Sequence, residues 1–285
     1  MQYKSILPLI CAALILLFAY CERDTPELPE SGEPQLLNYI DSMLTEVGVA
    51  SYTDVLTGKL EGNFEFFSYS APYETNCTSF IPATQLNGSV GTDSTHIIPV
   101  DAGILYVNDL MITANAANNL KYTINAADAN YATVQKELNK VYGKTNSIKL
   151  IKNDTVIFDK TLYIPKHIYL KGYDCSRLSM QGDPVIAGSS IIQWNADYNN
   201  KNGVVIQISG KDTYNVDRIT YKVVSDIGKY VISQEDISLF PKEQNAVLGV
   251  KIAVSRGNLF FTRGTDGRKY NFTLNTSCDY YYNLK

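Results

Sequence analysis

Short runs of β-branched and aromatic residues separated by turn-forming residues fill the sequence after Gly48, and this pattern limits the possible folds most. Branched and ring side chains pack well on a pleated strand, whereas Gly, Asn, Asp and Pro interrupt it. Six such runs lie between residues 62 and 172: GNFEFFSYSA, GILYVNDLMITA, LKYTIN, SIKLIK, TVIFDK and TLYIPKHIYLKG. The pattern predicts a mostly β fold of tandem antiparallel β-sandwiches.

Two local signals refine the first half of the chain, which we predict to be a β-rich domain over residues 35–158. Asn153 and Asp154 separate two predicted strands at the spacing of a two-residue hairpin. From Tyr131 to Tyr142 the apolar residues recur at helical spacing, and Gly143 follows as a stop. A second amphipathic pattern, from Pro34 to Val47, predicts an entry helix that covers a sheet edge.

The last third of the chain, residues 159–285, carries the most regular strand pattern. Apolar residues alternate in GVVIQISG, RITYKVVS and GVKIAVSRG, and turn signals fall at Asn202-Gly203, Gly228, Arg256-Gly257-Asn258 and Asp266-Gly267. This spacing predicts an immunoglobulin-like sandwich of about seven strands. Trp194, the only tryptophan, is expected to anchor its core.

Three motifs in this region support a family resemblance. A strand ends in Trp-Asn-x-Asp at 194–197, a hairpin reads Asp-x-Gly-x-Tyr at 226–230, and an Arg-Gly-Asn turn is predicted at 256–258. Together with the Asn-rich turn between them, the motifs resemble the closing Ig-like sandwich of uncharacterised Bacteroidota cell-envelope lipoproteins. The resemblance implies a fold and a cell-envelope setting, without an activity.

The N-terminal residues predict a lipoprotein signal peptide over residues 1–20. Lys4 precedes fifteen uncharged residues, a run shorter than the roughly 20 apolar residues of a membrane-spanning helix. The run ends at Cys21, and the pattern resembles the signal at which a bacterial lipoprotein cysteine is acylated, although Tyr20 stands where a small residue is usual. We therefore predict lipidation of Cys21. The alternatives are cleavage near Ala19, with Cys21 an incidental thiol, and an uncleaved membrane anchor.

Residues 21–34 are predicted to be a tether behind that lipid anchor. They are rich in Glu, Asp and Pro and contain one large apolar residue, Leu28, a composition that cannot support a packed core. Acyl chains bind a bilayer through about 0.8 kcal/mol per buried methylene. We accordingly expect an outer-membrane protein held by lipid, and the acidic residues after Cys21 resemble a weak form of the signal for export to the cell surface.

Composition narrows the possible partners and cross-links. The formal net charge is −4 and no basic run stands out, which argues against nucleic acid as a partner. Beyond Cys21, the mature region holds Cys77, Cys175 and Cys278, which allow at most one intramolecular disulfide. Buried thiols and a single disulfide both remain open.

No residue set in the sequence indicates catalysis, a metal or a cofactor. Asn195, Asp197 and Asn199 alternate like ligands of a calcium loop, but Asn200 replaces the required Gly and Ile206 the final Glu, so we predict a solvated hairpin turn. His96 and His167 stand apart, without a zinc-binding pattern. The chain is therefore predicted not to be an enzyme.

The sequence leaves three function classes in order of preference. The first is a non-catalytic binding or adhesion module for a protein or a glycan, a role that suits its 21 tyrosines. The second is a fimbrial or other structural surface subunit that assembles by strand addition. Against it, no Arg or Lys lies between Arg23 and Lys59 to allow processing there. The third is a glycan-active enzyme, which would need two carboxylates converging in a cleft.

Overall fold

A computed structural model describes residues 61–70, 83–92, 98–124, 131–170, 185–241 and 249–284. Several predictions fall outside these ranges: the signal peptide, Cys21, the tether, the entry helix, His96, Cys77 and Cys175. Within them the chain is mostly strand, so the predicted fold class is confirmed. No helix in these ranges has the length and apolar content to cross a bilayer.

Besides a short 3-10 helix at Ala116–Asn118, the described ranges contain fourteen strands and one α-helix. In chain order they are β1 (Gly62–Ser70), β2 (Ala83–Val90), β3 (Ile104–Val107), β4 (Leu110–Thr113), β5 (Tyr122–Ile124), α1 (Tyr131–Asn139), β6 (Lys144–Lys152), β7 (Thr155–Ile164), β8 (Val185–Ile186), β9 (Ile191–Gln193), β10 (Val204–Lys211), β11 (Asp217–Val224), β12 (Lys229–Val231), β13 (Val250–Arg263) and β14 (Lys269–Leu284).

The strands form three sheets. The large sheet has the order β11-β10-β13-β14-β1-β2-β5, with β8 beside the end of β14. The small sheet has the order β4-β3-β6-β7, and β9 and β12 form a two-stranded ribbon. Most pairs are antiparallel, but β1 and β8 each run parallel to β14.

A first core lies between the large and small sheets. The ring of Phe158 on β7 meets Phe272 on β14 edge to face, with centroids 5.4 Å apart, and Phe272 stacks on Phe64 of β1. The helix α1 adds the buried Leu138 to this core. The helix predicted from Tyr131 is confirmed and ends at Asn139, before Gly143 adopts a φ of +78°.

A second core lies under the other half of the large sheet. Alternating apolar residues of β10 and β13 pack here against residues of the ribbon and of the segment that follows β12. Trp194 is fully buried within this core. The expected core anchor is therefore confirmed. Seven strands, β8 to β14, lie wholly within residues 159–285, and the Ig-like sandwich of about seven strands over that range stays a prediction.

The long hairpin of β13 and β14 supplies side chains to both cores. Phe272 and Leu274 belong to the first core, and Cys278 and Tyr280 belong to the second. Apart from this hairpin, residues up to Ile164 belong to the first core and residues from Ile168 onward belong to the second. The proposed division into domains near residue 158 stays a prediction.

One predicted turn is wrong. Arg256, Gly257 and Asn258 lie inside β13, paired with Thr276, Asn275 and Leu274. A Cβ on Gly257 would lie 3.1 Å from the Leu274 carbonyl oxygen, so the glycine serves close strand pairing and not a change of direction. The other turns were predicted correctly: Gly203, Gly228 and Gly267 have φ near +80°, and Asn153 and Asp154 form the β6–β7 turn, both with positive φ.

Candidate functional site

The three motifs of the C-terminal region meet in one buried cluster, the charged junction, formed by Asp197, Asp226 and Arg256. Arg256 Nη1 lies 3.2 Å from Asp226 Oδ2 and 3.7 Å from Asp197 Oδ2. Trp194 Nε1 donates to Asp226 Oδ1 at 2.9 Å, and Arg256 Nη2 donates to the Asn195 carbonyl oxygen at 2.5 Å. Residues far apart in the sequence thus complete a single polar core.

The charged junction also ties the second core to β7. Tyr163 donates its hydroxyl proton to Asp197 at 2.7 Å, and the Lys166 amide donates to the same carboxylate at 2.9 Å. Asp197 is fully buried, whereas the turn residues Tyr198 and Asn199 are exposed, so the predicted solvated turn is wrong at Asp197. Removing one partner from a fully buried ion pair is strongly destabilising. We therefore assign a structural role to Asp197, whose carboxylate is held by a guanidinium and by neutral donors.

The two carboxylates of the charged junction converge on an arginine and not on a cleft. Asp197 and Arg256 have no exposed side-chain surface, so a sugar ring has no space between the acids. This pair therefore lacks the open geometry that glycoside hydrolysis requires.

His167 is not isolated, contrary to its position in the sequence. Its Nδ1 lies 2.6 Å from Ser68 Oγ, and its ring stacks on Tyr142 with centroids 4.2 Å apart. Burial lowers the pKa of His167 to about 4. Ser68 is fully buried, so its hydroxyl cannot meet a substrate carbonyl, and the contact serves packing between the two cores.

Cys278 is a free, buried thiol in the second core. Burial raises its pKa to about 12, and a thiol held in its neutral form is a poor nucleophile. Of Cys77, Cys175 and Cys278, it is the one within the described ranges, and it behaves as a core residue.

The outer face of the large sheet, away from both cores, carries an unusual set of buried polar side chains. Side chains alternate along a strand, so residues next to core positions such as Phe64, Phe272 and Ile206 face outward. We name these positions the amide face, which is closed to solvent, because the apolar Val205 and Leu259 on the same face are also only 1% exposed. Its buried polar residues are Asn63, Gln207, Ser255, Asn271, Thr273 and Asn275, none more than 4% exposed.

The amide face has hydrogen-bonding capacity that the described residues do not use. Asn271 Nδ2 donates to Asn63 Oδ1 at 2.7 Å and to Thr273 Oγ1 at 3.2 Å. In contrast, both amide atoms of Gln207, and Oδ1 of Asn271 and of Asn275, find no partner among the described residues. Buried polar groups are normally satisfied, and an unsatisfied one costs about 1–3 kcal/mol.

Glu65 adds a carboxyl group to the amide face. Its partners in register are Thr273 on β14 and Asn87 on β2, both neutral. Burial raises the pKa of Glu65 to about 7, because no charge on the adjoining strand positions offsets the loss of hydration.

A groove lies between the edge strands of the two sheets. Edge strand β4 of the small sheet and edge strand β5 of the large sheet border it, with α1 at one side, and its volume is about 420 Å³. Met111, Ile124 and Val134 are among the lining residues. Within the described ranges no strand pairs with the outer edge of β4 or β5, and such edges can accept an extended chain.

The sequence did not indicate the amide face or the charged junction as clusters. Polar residues alternating in NFTLNTSC look like the solvated side of a strand, and only the burial of that side in the folded chain distinguishes them. Asp197 and Asp226 were visible only as separate motif residues. Comparisons with known proteins supply no family, because no protein-family model, curated protein or solved structure matches the chain.

Proposed function

We propose that the protein is a lipid-anchored, non-catalytic binding module of the cell envelope that recognises a protein or a glycan. The observation that carries this proposal is the exposure of tyrosine rings in the described ranges: Tyr214 is 84% exposed, Tyr198 80% and Tyr281 43%. Tyrosine offers a large amphipathic contact area at a low cost in side-chain entropy, which suits recognition of a protein or a glycan. The charged junction, the His167 contact and Cys278 are assigned to stability.

Attachment to the membrane is tested at Cys21. Cys21→Ser removes the thiol that acylation requires, so the protein should move from the membrane fraction to the soluble fraction. Cys278→Ser is the matched control, because that thiol lies in the second core and its loss should leave fractionation unchanged. If Cys21→Ser fractionates like the wild-type protein, the lipid anchor is wrong.

Binding is tested with the full chain, solubilised from membranes in detergent, on immobilised cell-envelope preparations. One preparation is treated with periodate, which destroys the vicinal diols of sugars, and another with proteinase K. Loss of binding after either treatment supports a recognition role and identifies the class of ligand. Absence of binding to every preparation, including the untreated one, contradicts the proposal.

A second candidate function is that of a structural surface subunit that assembles by strand addition. The observation that favours it is the groove between β4 and β5, where both sheets end. A strand donated by a neighbouring copy would pair with a free edge and place apolar side chains in the groove. Purified protein should then form ladders that resist mild denaturation, and Met111→Glu should abolish them. A monomer under all conditions contradicts this function.

A further inference from the structure

The ribbon of β9 and β12 carries apolar side chains on its outward face. Ile192 belongs to the second core, whereas Ile191 is 56% exposed and Val231 is 53% exposed. Ile191 and Val231 stand opposite each other in register, so their Cβ atoms lie about 4.5–5.5 Å apart. Apolar side chains that are exposed singly are normal on a protein surface, but adjacent ones form a patch.

Two turns beside the ribbon extend this patch. Tyr198, in the turn between β9 and β10, is 80% exposed, and Ile227, two residues before β12, is 56% exposed. The two turns abut, because a Cβ on Gly228 would lie 3.3 Å from Ala196 Cβ. We name the exposed apolar side chains of the ribbon and of these turns the ribbon surface: Ile191, Tyr198, Ile227 and Val231.

The charged junction holds both turns in place. Asp197 directly precedes Tyr198 in one turn. Asp226 directly precedes Ile227 in the other. Both carboxylates face Arg256, whose Nη1 lies 3.7 Å from the first and 3.2 Å from the second. A surface that is already held in its binding conformation loses less conformational entropy when a partner binds, so the buried ions also position the exposed side chains.

The charges exposed around the ribbon surface are positive. Lys229 lies on the ribbon, Lys201 lies in the turn after β9, and Lys166 donates its amide to the charged junction. All three lysines are exposed, and none forms an ion pair with another described residue. The acids of the two turns are buried, and the nearest exposed carboxylate after the ribbon is that of Glu235. Because the formal net charge of the chain is −4, this lysine rim is a local feature.

An apolar patch with a rim of lysines fits an acidic protein surface better than a glycan or a membrane. Protein interfaces combine an apolar centre with a polar rim. Sugars pack their C–H faces on aromatic rings, but Tyr198 is the one aromatic member of the ribbon surface and the other members are branched aliphatic residues. Anionic lipid is bound by clusters of about four to eight Lys or Arg, whereas this rim has three lysines.

We infer that the ribbon surface is the docking site for a protein partner whose contact surface has an apolar centre and an acidic rim. The inference rests on the proposed recognition function and adds to it the location of the site and the chemistry of the partner. Opposite charges across the rim accelerate association and select the partner, and burial of the apolar centre supplies the affinity.

The test selects phage-displayed random peptides on the full chain. The double variant Ile191→Thr/Val231→Thr serves for subtraction, because threonine suits a strand but removes apolar surface. We expect peptides that bind the wild-type protein and not the double variant, and these peptides should combine Asp or Glu with large apolar residues. Ile98→Thr is the matched control, since Ile98 is 59% exposed beside the end of β2, and it should bind the peptides like wild type. A selection without acidic peptides, or equal binding to the double variant, overturns the inference.

Point variants then locate the site with one synthetic peptide from the selection. Tyr198→Ser should weaken its binding about tenfold, and Lys229→Glu should do the same because it repels an acidic partner. Tyr214→Ser is the control for the ring, since Tyr214 is 84% exposed on the β10–β11 hairpin. Lys136→Glu, on the exposed side of α1, is the control for the charge. Loss of binding in the controls, with wild-type affinity in Tyr198→Ser and Lys229→Glu, moves the site elsewhere and overturns the inference.

The envelope preparations separate this inference from the recognition function. Binding should be lost after proteinase K and should resist periodate. Binding that is lost after periodate alone identifies a glycan, which overturns the inference and leaves the recognition function intact. Binding of the unlipidated Cys21→Ser form to phosphatidylglycerol vesicles, abolished by Lys229→Glu, assigns the surface to a membrane and also overturns it. Every substituted side chain on the ribbon surface and its rim is exposed, so the variants should melt close to the wild-type temperature.

Discussion

Two partly buried titrating groups, His167 and Glu65, should affect the stability of this protein in opposite directions over the same pH range. His167 has a pKa lowered from 6.5 to about 4 by burial, and Glu65 has a pKa raised from 4.5 to about 7 by the same cause. Each side chain therefore prefers its neutral form in the folded state. Their titrations lie in nearly the same window, between pH 4 and pH 7.

The sign of each effect follows from linkage. For His167, the folded state binds the proton more weakly than the unfolded state does. The free energy of unfolding is therefore highest above pH 6.5 and falls as the pH drops toward 4. For Glu65, the folded state binds the proton more tightly than the unfolded state does. The free energy of unfolding is therefore highest below pH 4.5 and falls as the pH rises toward 7. For each group the folded and unfolded pKa differ by about 2.5, which corresponds to at most about 3.4 kcal/mol.

In the wild-type protein these two slopes should largely cancel between pH 4.5 and 6.5. Glu65→Gln removes one slope, so the free energy of unfolding should rise by about 2–3 kcal/mol from pH 4.5 to 6.5, relative to wild type. His167→Gln removes the slope of His167, so its free energy of unfolding, relative to wild type, should fall by a similar amount from pH 4.5 to 6.5. The double variant should return close to the pH dependence of the wild type.

Urea denaturation at pH 4.5, 5.5 and 6.5 measures these differences, with the fluorescence of Trp194 as the probe because it is the only tryptophan and is fully buried. Glu137→Gln is the control, since Glu137 is exposed on α1 beside Lys140. Its curve should parallel that of wild type. Parallel curves for Glu65→Gln and wild type would refute the reasoning for Glu65, and parallel curves for His167→Gln would refute it for His167.

Three further substitutions test the packing and turns. Arg256→Met leaves Asp197 and Asp226 buried without their cation and should cost about 3–5 kcal/mol in urea denaturation; a loss below 1 kcal/mol contradicts the charged junction. Gly228→Ala forces a side chain to a φ of +84° and should lower stability by about 1–2 kcal/mol, and an unchanged melting temperature would count against this. Asp154→Gly relieves a positive φ of 61° and should raise stability by roughly 0.5 kcal/mol, whereas a lower melting temperature argues against the turn.

Local patterns predicted the local structure. The β6–β7 turn follows from Asn153 and Asp154, which tolerate positive φ, and α1 follows from its apolar spacing and from Gly143. The burial of Trp194 also follows from its residue type and its place in a strand pattern. In each case the physical cause acts within a few residues of the signal.

Long-range pairing could not be predicted in the same way. Gly257 looks like a turn residue because nothing nearby in sequence shows that the Leu274 carbonyl approaches it. The amide face was hidden for a related reason, since alternation assigns Asn271 and Asn275 to a polar side of β14 but does not say whether that side is buried. Both features depend on strands that meet only in the folded chain.

The pairing of β1 with β14 has a consequence for the time at which the protein can fold. Asn63 and Asn271 share a hydrogen bond across 208 residues of sequence, and β14 supplies side chains to both cores. A nascent chain that lacks residues 269–284 therefore lacks part of each core. Such a high contact order makes folding slow, because the entropy of closing the longest loop is lost before its contacts form. Slow folding would suit the proposed place in the cell envelope, because an exported chain must stay unfolded while it threads through a translocation channel.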